Sequence, residues 1–175
     1  MKLEHDLQEL IMATTLVLIE VQCIDHCISG SAILHKVLQE NDFPEAYPLT
    51  VGVKIVNVSH TDTGIMLGKG TEPMPGMWPG HLVVVVPEYN DDDHLLIDLT
   101  LGQVNGKVEG IEVEPFVGKV DNNFIHGLLP ARCTANGCKL TYEGFPNDDS
   151  FRTETNWSNV KGLDQAVEMV TERLS

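Results

Sequence analysis

The two segments 81-HLVVVV-86 and 94-HLLIDLTL-101, separated by the acidic 87-PEYNDDD-93, constrain the fold more than any other part of the chain. Each is apolar at consecutive positions rather than at alternate ones. A strand of this kind buries both faces, so it belongs inside a sheet with a layer packed on either side. Two such strands joined by a turn of Pro, Asn and Asp pair as an antiparallel hairpin. In such a pair, facing residues have position numbers of constant sum. Setting His81 opposite Asp98 puts the turn midpoint between Tyr89 and Asn90, where the turn residues lie. That register makes the two side chains neighbours on one face, with Cβ atoms about 5 Å apart. A slip of one residue would send them to opposite faces. A carboxylate in so apolar a hairpin needs a partner, and His81 supplies one. The pair orients the imidazole, fixes its tautomer and favours its protonated form. A purely structural ion pair is the other reading.

The rest of the chain supplies the layers. Residues 2–21 place Leu3, Leu7, Leu10, Ile11, Thr14, Val17, Leu18 and Val21 on a helical stripe. Residues 25–42 read as a second helix, with Asp25 as N-cap and Asn41, Asp42 and Pro44 as stop signals. Residues 49–59 alternate as a strand. Residues 61–80, with five glycines and three prolines, read as a long loop. Residues 101–110 read as loop with an Asn105-Gly106 turn, and 111–120 as a strand weakened by Pro115. Asn136-Gly137 marks a hairpin turn into 138–145, and 159–175 closes the chain as a helix. The order gives an α+β fold: N-terminal helices packed on a mostly antiparallel β-sheet, then a C-terminal helix. The 175 residues fit a single domain, 1–175.

Charge excludes some functions. With 26 acidic and 11 basic residues the formal net charge is −15. Such a field repels phosphate backbones and anionic lipid, so the expectation is no nucleic acid and no membrane partner. It suits a basic protein partner, and solvation alone also accounts for it. The apolar run 10-LIMATTLVLI-19 follows an acidic rather than a basic segment and is shorter than the roughly 20 residues of a bilayer span. It reads as a buried helix, and the expected location is cytoplasmic. In that compartment Cys23, Cys27, Cys133 and Cys138 are free thiols, metal ligands or a nucleophile rather than a disulfide framework.

Cys27 falls in the first turn of the second helix, where the helix dipole and unpaired N–H groups stabilise a thiolate. It shares a face with Ser31, Leu34 and Leu38, so it points into the molecule. A small core residue is the plain reading. Gly30 and Ser31 favour the other, since they leave room for a second chain segment. Helix-borne Cys, strand-borne His and a following strand-borne Asp make a nucleophile, base and orienter. The rival use of Cys27 is zinc, from the Cys23/Cys27 and Cys133/Cys138 spacings with His26 and His126 nearby. The pairs lie far apart in sequence and lack the usual C-x2-C form, so no metal and no cofactor are assigned. Gly68-x-Gly70 lacks the flanking strand and helix of a nucleotide loop. Asp91–Asp93 reads as a solvated tip. Met77, Trp78 and Trp157 line a substrate groove or cover the core, and the loop entering His81 is the substrate rim.

The order Cys27, His81, Asp98 resembles the transglutaminase-like branch of the papain-type cysteine enzymes. Segment 27-CISGSAILHKVLQENDFPEAYPLTVGVKIVN-57 is similar to that family's nucleophile helix and first strand, 80-GHLVVVV-86 to its histidine strand, and 97-IDLTLGQ-103 to its aspartate strand. The resemblance covers residues 22–103 as core, with 104–175 as a C-terminal extension. Leu82 and Val83 stand where family members often carry an aromatic residue. The resemblance implies a papain-like, transglutaminase-like core with Cys27 as nucleophile, His81 as general base and acid, and Asp98 as orienter. It offers Gln22 as an oxyanion donor, against an ordinary helix-end role. It implies a cysteine-dependent hydrolase or acyltransferase acting through a thioester on a peptide, protein or small amide or ester, with water or an amine as acceptor. The alternative is an inactive protein-binding module on the same scaffold. Oligomeric state is left open.

Overall fold

The computed structural model describes residues 5–71, 76–90 and 93–175. The sequence readings at Leu3, Asp91 and Asp92, and residues 72–75 of the long loop, lie outside the described residues. Helix α1 (His5–Glu20) buries Leu7, Leu10, Ala13, Thr14, Val17 and Leu18, as the stripe requires. Helix α2 (Cys27–Glu40) follows and ends at Asn41. Its N-cap is His26, not Asp25, and no side chain caps it. The His26 carbonyl takes the Gly30 N–H, which sets the first helical residue one place later than Asp25 would.

Seven strands form one sheet: β1 (Tyr47–Asn57), β2 (Gly64–Gly68), β3 (His81–Asn90), β4 (Asp93–Asp98), β5 (Phe116–Val120), β6 (Ala131–Ala135) and β7 (Cys138–Gly144). The order is β5-β4-β3-β1-β7-β6, with every pairing antiparallel. Strand β2 also pairs with β1, so the expected long loop contains a strand. Its glycine ends had hidden it from a strand-propensity reading. Strand β1 passes one edge from β3 to β2: Val51 pairs with His81, and Gly52 with Gly68. A Cβ on Gly68 would lie 2.6 Å from the His81 Cβ and 2.5 Å from the Val51 carbonyl oxygen, and its φ is +83°. Only glycine lets β2 end this close to His81. The expected strand at 111–120 begins only at Phe116, after Pro115, which has no N–H for a ladder. The Asn136-Gly137 turn joins β6 to β7 with both φ positive, at 49° and 71°, the form that matches strand twist.

The hairpin β3–β4 sits inside the sheet, as its two-faced apolarity demands. Val84, Val86, Leu95 and Ile97 face α1, α2 and the C-terminal helix α5 (Val160–Leu174). Val83, Val85 and Leu96 face the other way, onto Val51, Val53, Ile55, Leu140 and Tyr142. The sheet curls round this second core into a near-barrel, so that Phe116 of β5 stacks on Tyr142 of β7 with ring centroids 5.7 Å apart. Short helices α3 (Asn122–Ile125) and α4 (Thr155–Ser158) complete the fold. Full burial of each Val, Leu or Ile here contributes roughly 1.5–3 kcal/mol, which makes the hairpin the anchor of both cores. No helix among the described residues is long and apolar enough to cross a membrane.

The hairpin register departs from the simplest expectation. Val84 pairs with Ile97, Val85 with Leu96 and Val86 with Leu95, but Asn90 pairs with Asp93. Two extra residues on β3 are absorbed between Val86 and Asn90, where Glu88 has φ 48°. His94 fixes this bulge: its Nδ1 accepts from the Glu88 N–H at 3.1 Å, and its Nε2 meets Asn122 Oδ1 at 3.0 Å. The bulge takes back two of the four positions by which the Asn90–Asp93 pair is offset, so Val83 stands opposite Asp98, and His81 and Asp98 are diagonal rather than directly opposite. A shift of two positions preserves the face, whereas a shift of one would have separated them.

Candidate active site

Asp98 is the hub. Its Oδ2 accepts from His81 Nε2 at 2.8 Å and from the Tyr142 hydroxyl at 2.9 Å, and its Oδ1 accepts the Thr100 N–H at 3.2 Å. The side chains of His81 and Asp98 are wholly buried. A diagonal pair of strand residues is about 7–8 Å apart, within reach of an imidazole meeting a carboxylate. Burial pushes the imidazole towards its neutral form. The charge and hydrogen bond of Asp98, and then the hydrogen bond and charge of Cys27, overcome it and raise the His81 pKa to about 10. Burial, and then the Asp98 charge, hold the Tyr142 hydroxyl protonated well above its usual range, so it stays a donor to that carboxylate.

Cys27 is the first residue of α2, half-buried, and lies close enough to His81 for its thiol to help raise the imidazole pKa. Since Nε2 is committed to Asp98, Nδ1 is the nitrogen that serves the sulfur. The structure thus brings Cys27, His81 and Asp98 together. Close approach of α2 to the sheet depends on Gly30, whose added Cβ would meet Thr100 Cγ2 at 2.6 Å. Glycine inside a helix ordinarily costs about 1 kcal/mol relative to alanine. Here the stiff β-branched Thr100 reverses the sign, because overpacking costs roughly 1–3 kcal/mol. Gly30→Ala is therefore expected to lower stability in urea denaturation, and adding Thr100→Ser to restore it. A Gly30→Ala protein more stable than the parent would show that the contact does not bind α2 in place.

A cleft of about 430 Å³ opens over the thiol. Ile28, Met66, Leu67, Met77 and Trp78 give it an apolar wall, and Asp25, His26, Lys107 and Glu154 lie on its polar parts. Met77 and Trp78, expected as rim, are both there. Met77 is 64% exposed. Trp78 folds back against Gly80, meets Phe151 edge-on at 6.3 Å and donates Nε1–H to Ser150 Oγ at 2.8 Å. Trp157 packs on Phe151 at 4.8 Å, behind that wall. Gln22 is exposed at the end of α1 with φ 58° and is not among the cleft-lining residues. This is the helix-end role.

Two participants escape a reading of sequence order. Tyr142 arrives from β7, 44 positions after Asp98, and nothing local marks it. Gln103 lies in the cleft with its Nε2 3.2 Å from His81 Nδ1 and 3.1 Å from the Thr100 carbonyl. Its five-residue spacing from Asp98 places it just past the strand end, which is the signal that could have found it. The four cysteines are free thiols. Burial raises Cys23 and Cys138 above the ordinary thiol range, and raises Cys133 to about 11. Comparison with protein-family models, with curated proteins and with solved structures finds no match to this chain.

Proposed function

We propose that this protein is a cysteine-dependent acyltransferase or hydrolase of the transglutaminase-like kind, acting on an amide or ester through a thioester on Cys27. One observation carries this reading: a half-buried thiol lining a cleft lies beside a buried imidazole whose Nε2 is fixed by a buried carboxylate. A helix N-terminus set against an antiparallel sheet, with base and orienter on adjacent strands, supports a papain-like core. The Cys27 sulfur forms the S–C bond with the substrate carbonyl. The C–N or C–O bond breaks as the leaving group takes the proton from His81 Nδ1. Water or an amine then attacks the thioester, gives its proton to Nδ1 and releases the thiolate. The first turn of α2 carries no side-chain cap, which leaves the Cys27 N–H to stabilise the oxyanion, a role that Gln22 is not placed to fill. The cleft wall suits an apolar acyl group or side chain.

The test is iodoacetamide labelling against pH, read by peptide mass spectrometry. Cys27 should alkylate first at pH 7, at least about tenfold faster than Cys23, Cys133 or Cys138. His81→Gln should abolish the lead. A Cys27 that waits for alkaline pH would favour the inactive binding module, whose acidic surface recruits a basic partner.

A further inference from the structure

Two side chains meet one nitrogen. With Nε2 of His81 held by Asp98, its Nδ1 serves Cys27 and also lies 3.2 Å from the Gln103 amide nitrogen. The amide orientation is set independently, because the same Nε2 donates to the Thr100 carbonyl at 3.1 Å. Gln103 therefore presents an N–H, not an oxygen, to the imidazole. A donor at Nδ1 has a partner only when that nitrogen carries a lone pair. That is the neutral ring with its proton on Nε2. When Cys27 is a thiolate, Nδ1–H points at sulfur and the Gln103 N–H has nothing to donate to. When Cys27 is acylated it is uncharged, and the thiol that held the ring is gone.

We propose that Gln103 is a positioning residue for the second half of the reaction: while Cys27 carries no charge, its amide N–H takes His81 Nδ1 and keeps on it the lone pair that the incoming nucleophile needs. This rests on the acyl-transfer reading above. The hydrogen bond is neutral and long, so water or an amine displaces it and passes its proton to the lone pair it protected. Thr100 couples the two sides of the ring, since its N–H binds Asp98 and its carbonyl binds Gln103. The other groups facing His81 are Asp98 from β4, with Tyr142 behind it from β7, and Cys27 from α2. Gly68 of β2 abuts its Cβ and brings no charge.

Cys27→Ala stands in for the uncharged acyl state and needs no substrate. The protein, labelled with ¹⁵N-histidine, is titrated by NMR, with His81→Gln assigning the resonance. Cys27→Ala should show a single neutral tautomer with the lone pair on Nδ1. Adding Gln103→Leu should leave that tautomer, which Asp98 fixes, and raise the ring's proton affinity about fivefold, the worth of one neutral hydrogen bond. Adding Gln103→Glu should raise it further, since an anionic acceptor favours Nδ1–H. The same midpoint in all three proteins would overturn the proposal. With Cys27 present, p-nitrophenyl acetate reads both half-reactions. Gln103→Leu should slow steady-state release about fivefold more than the initial burst. Equal losses in burst and steady state would mean a merely structural residue and also overturn it. A parent protein with no burst would sink the acyl-transfer reading, and with it the catalytic use of Gln103, while the NMR series would still decide its hold on the ring.

Discussion

On the proposed acyl-transfer function, Asp98→Asn is expected to lower activity about ten-thousandfold, the loss that the matching change produces in Ser-His-Asp enzymes. The amide is nearly the shape of the carboxylate, so packing survives. What changes is the match of donors and acceptors. Oδ2 now accepts from both His81 Nε2 and Tyr142, and Oδ1 accepts from the Thr100 N–H. An Asn offers one oxygen and one NH2 to these three donors. If the oxygen serves Thr100, His81 must turn over its tautomer and present Nδ1–H to the thiol, which ends its service as a base. If the oxygen serves His81 and Tyr142, the NH2 faces the Thr100 N–H, and a buried donor goes unmatched. Either way the larger charge that holds the imidazole protonated is gone, and only Cys27 is left to oppose burial. Asp98→Ala should go further and cost several kcal/mol of stability, because His81 and Tyr142 would be left buried without their acceptor. The kinetic constants and urea midpoints of the two variants separate the effects. An Asp98→Asn protein that keeps within tenfold of parental activity would remove Asp98 from the mechanism.

The second large effect is on stability against pH. The folded pKa of His81 is raised to about 10, above its ordinary 6.5. A raised folded value means that the folded protein holds a proton the unfolded chain releases. The contribution is fully present below pH 6.5 and is lost as pH climbs through the folded value. Between those limits the unfolding free energy should fall by about 1.4 kcal/mol per pH unit from this one group. His81→Gln cannot titrate, so it should flatten the profile in that window. Cys27→Ala removes one of the contacts that raise the imidazole, so the loss should finish at lower pH. An alkaline decline of the same slope in parent and His81→Gln would show that other groups cause it.

The site was partly legible because two of its rules are local. Consecutive apolar residues on either side of 87–93 announced a central hairpin, and the period of two placed His81 and Asp98 on one face. Helix periodicity turned Cys27 inward. The partial failure is informative. The register lies two positions from the straightforward one, because the hairpin closes at the Asn90–Asp93 pair, which alone would offset it by four, and the bulge held by His94 and Asn122 takes back two of them. The face survived because two is an even number. Asp25 was displaced as N-cap because the carbonyl of His26, not a side chain, receives the first helical bond. Strand β2 was invisible because its ends are glycines, which carry no strand propensity: Gly68 is set close against His81 and Val51, and Gly64 against Ile55 and Val56.

The sequence by itself determined which residue types stand at helix start and strand ends, and on which face each lies, because those follow from backbone periods of 3.6 and 2. Only the tertiary structure decided which of them touch. Tyr142 reaches Asp98 because the sheet curls, Gln103 reaches Nδ1 because the chain turns back after β4, and Trp78 closes over the cleft because Ser150 holds it. These contacts join residues far apart in the chain, and a long-range hydrogen bond leaves no periodic trace in the order of amino acids.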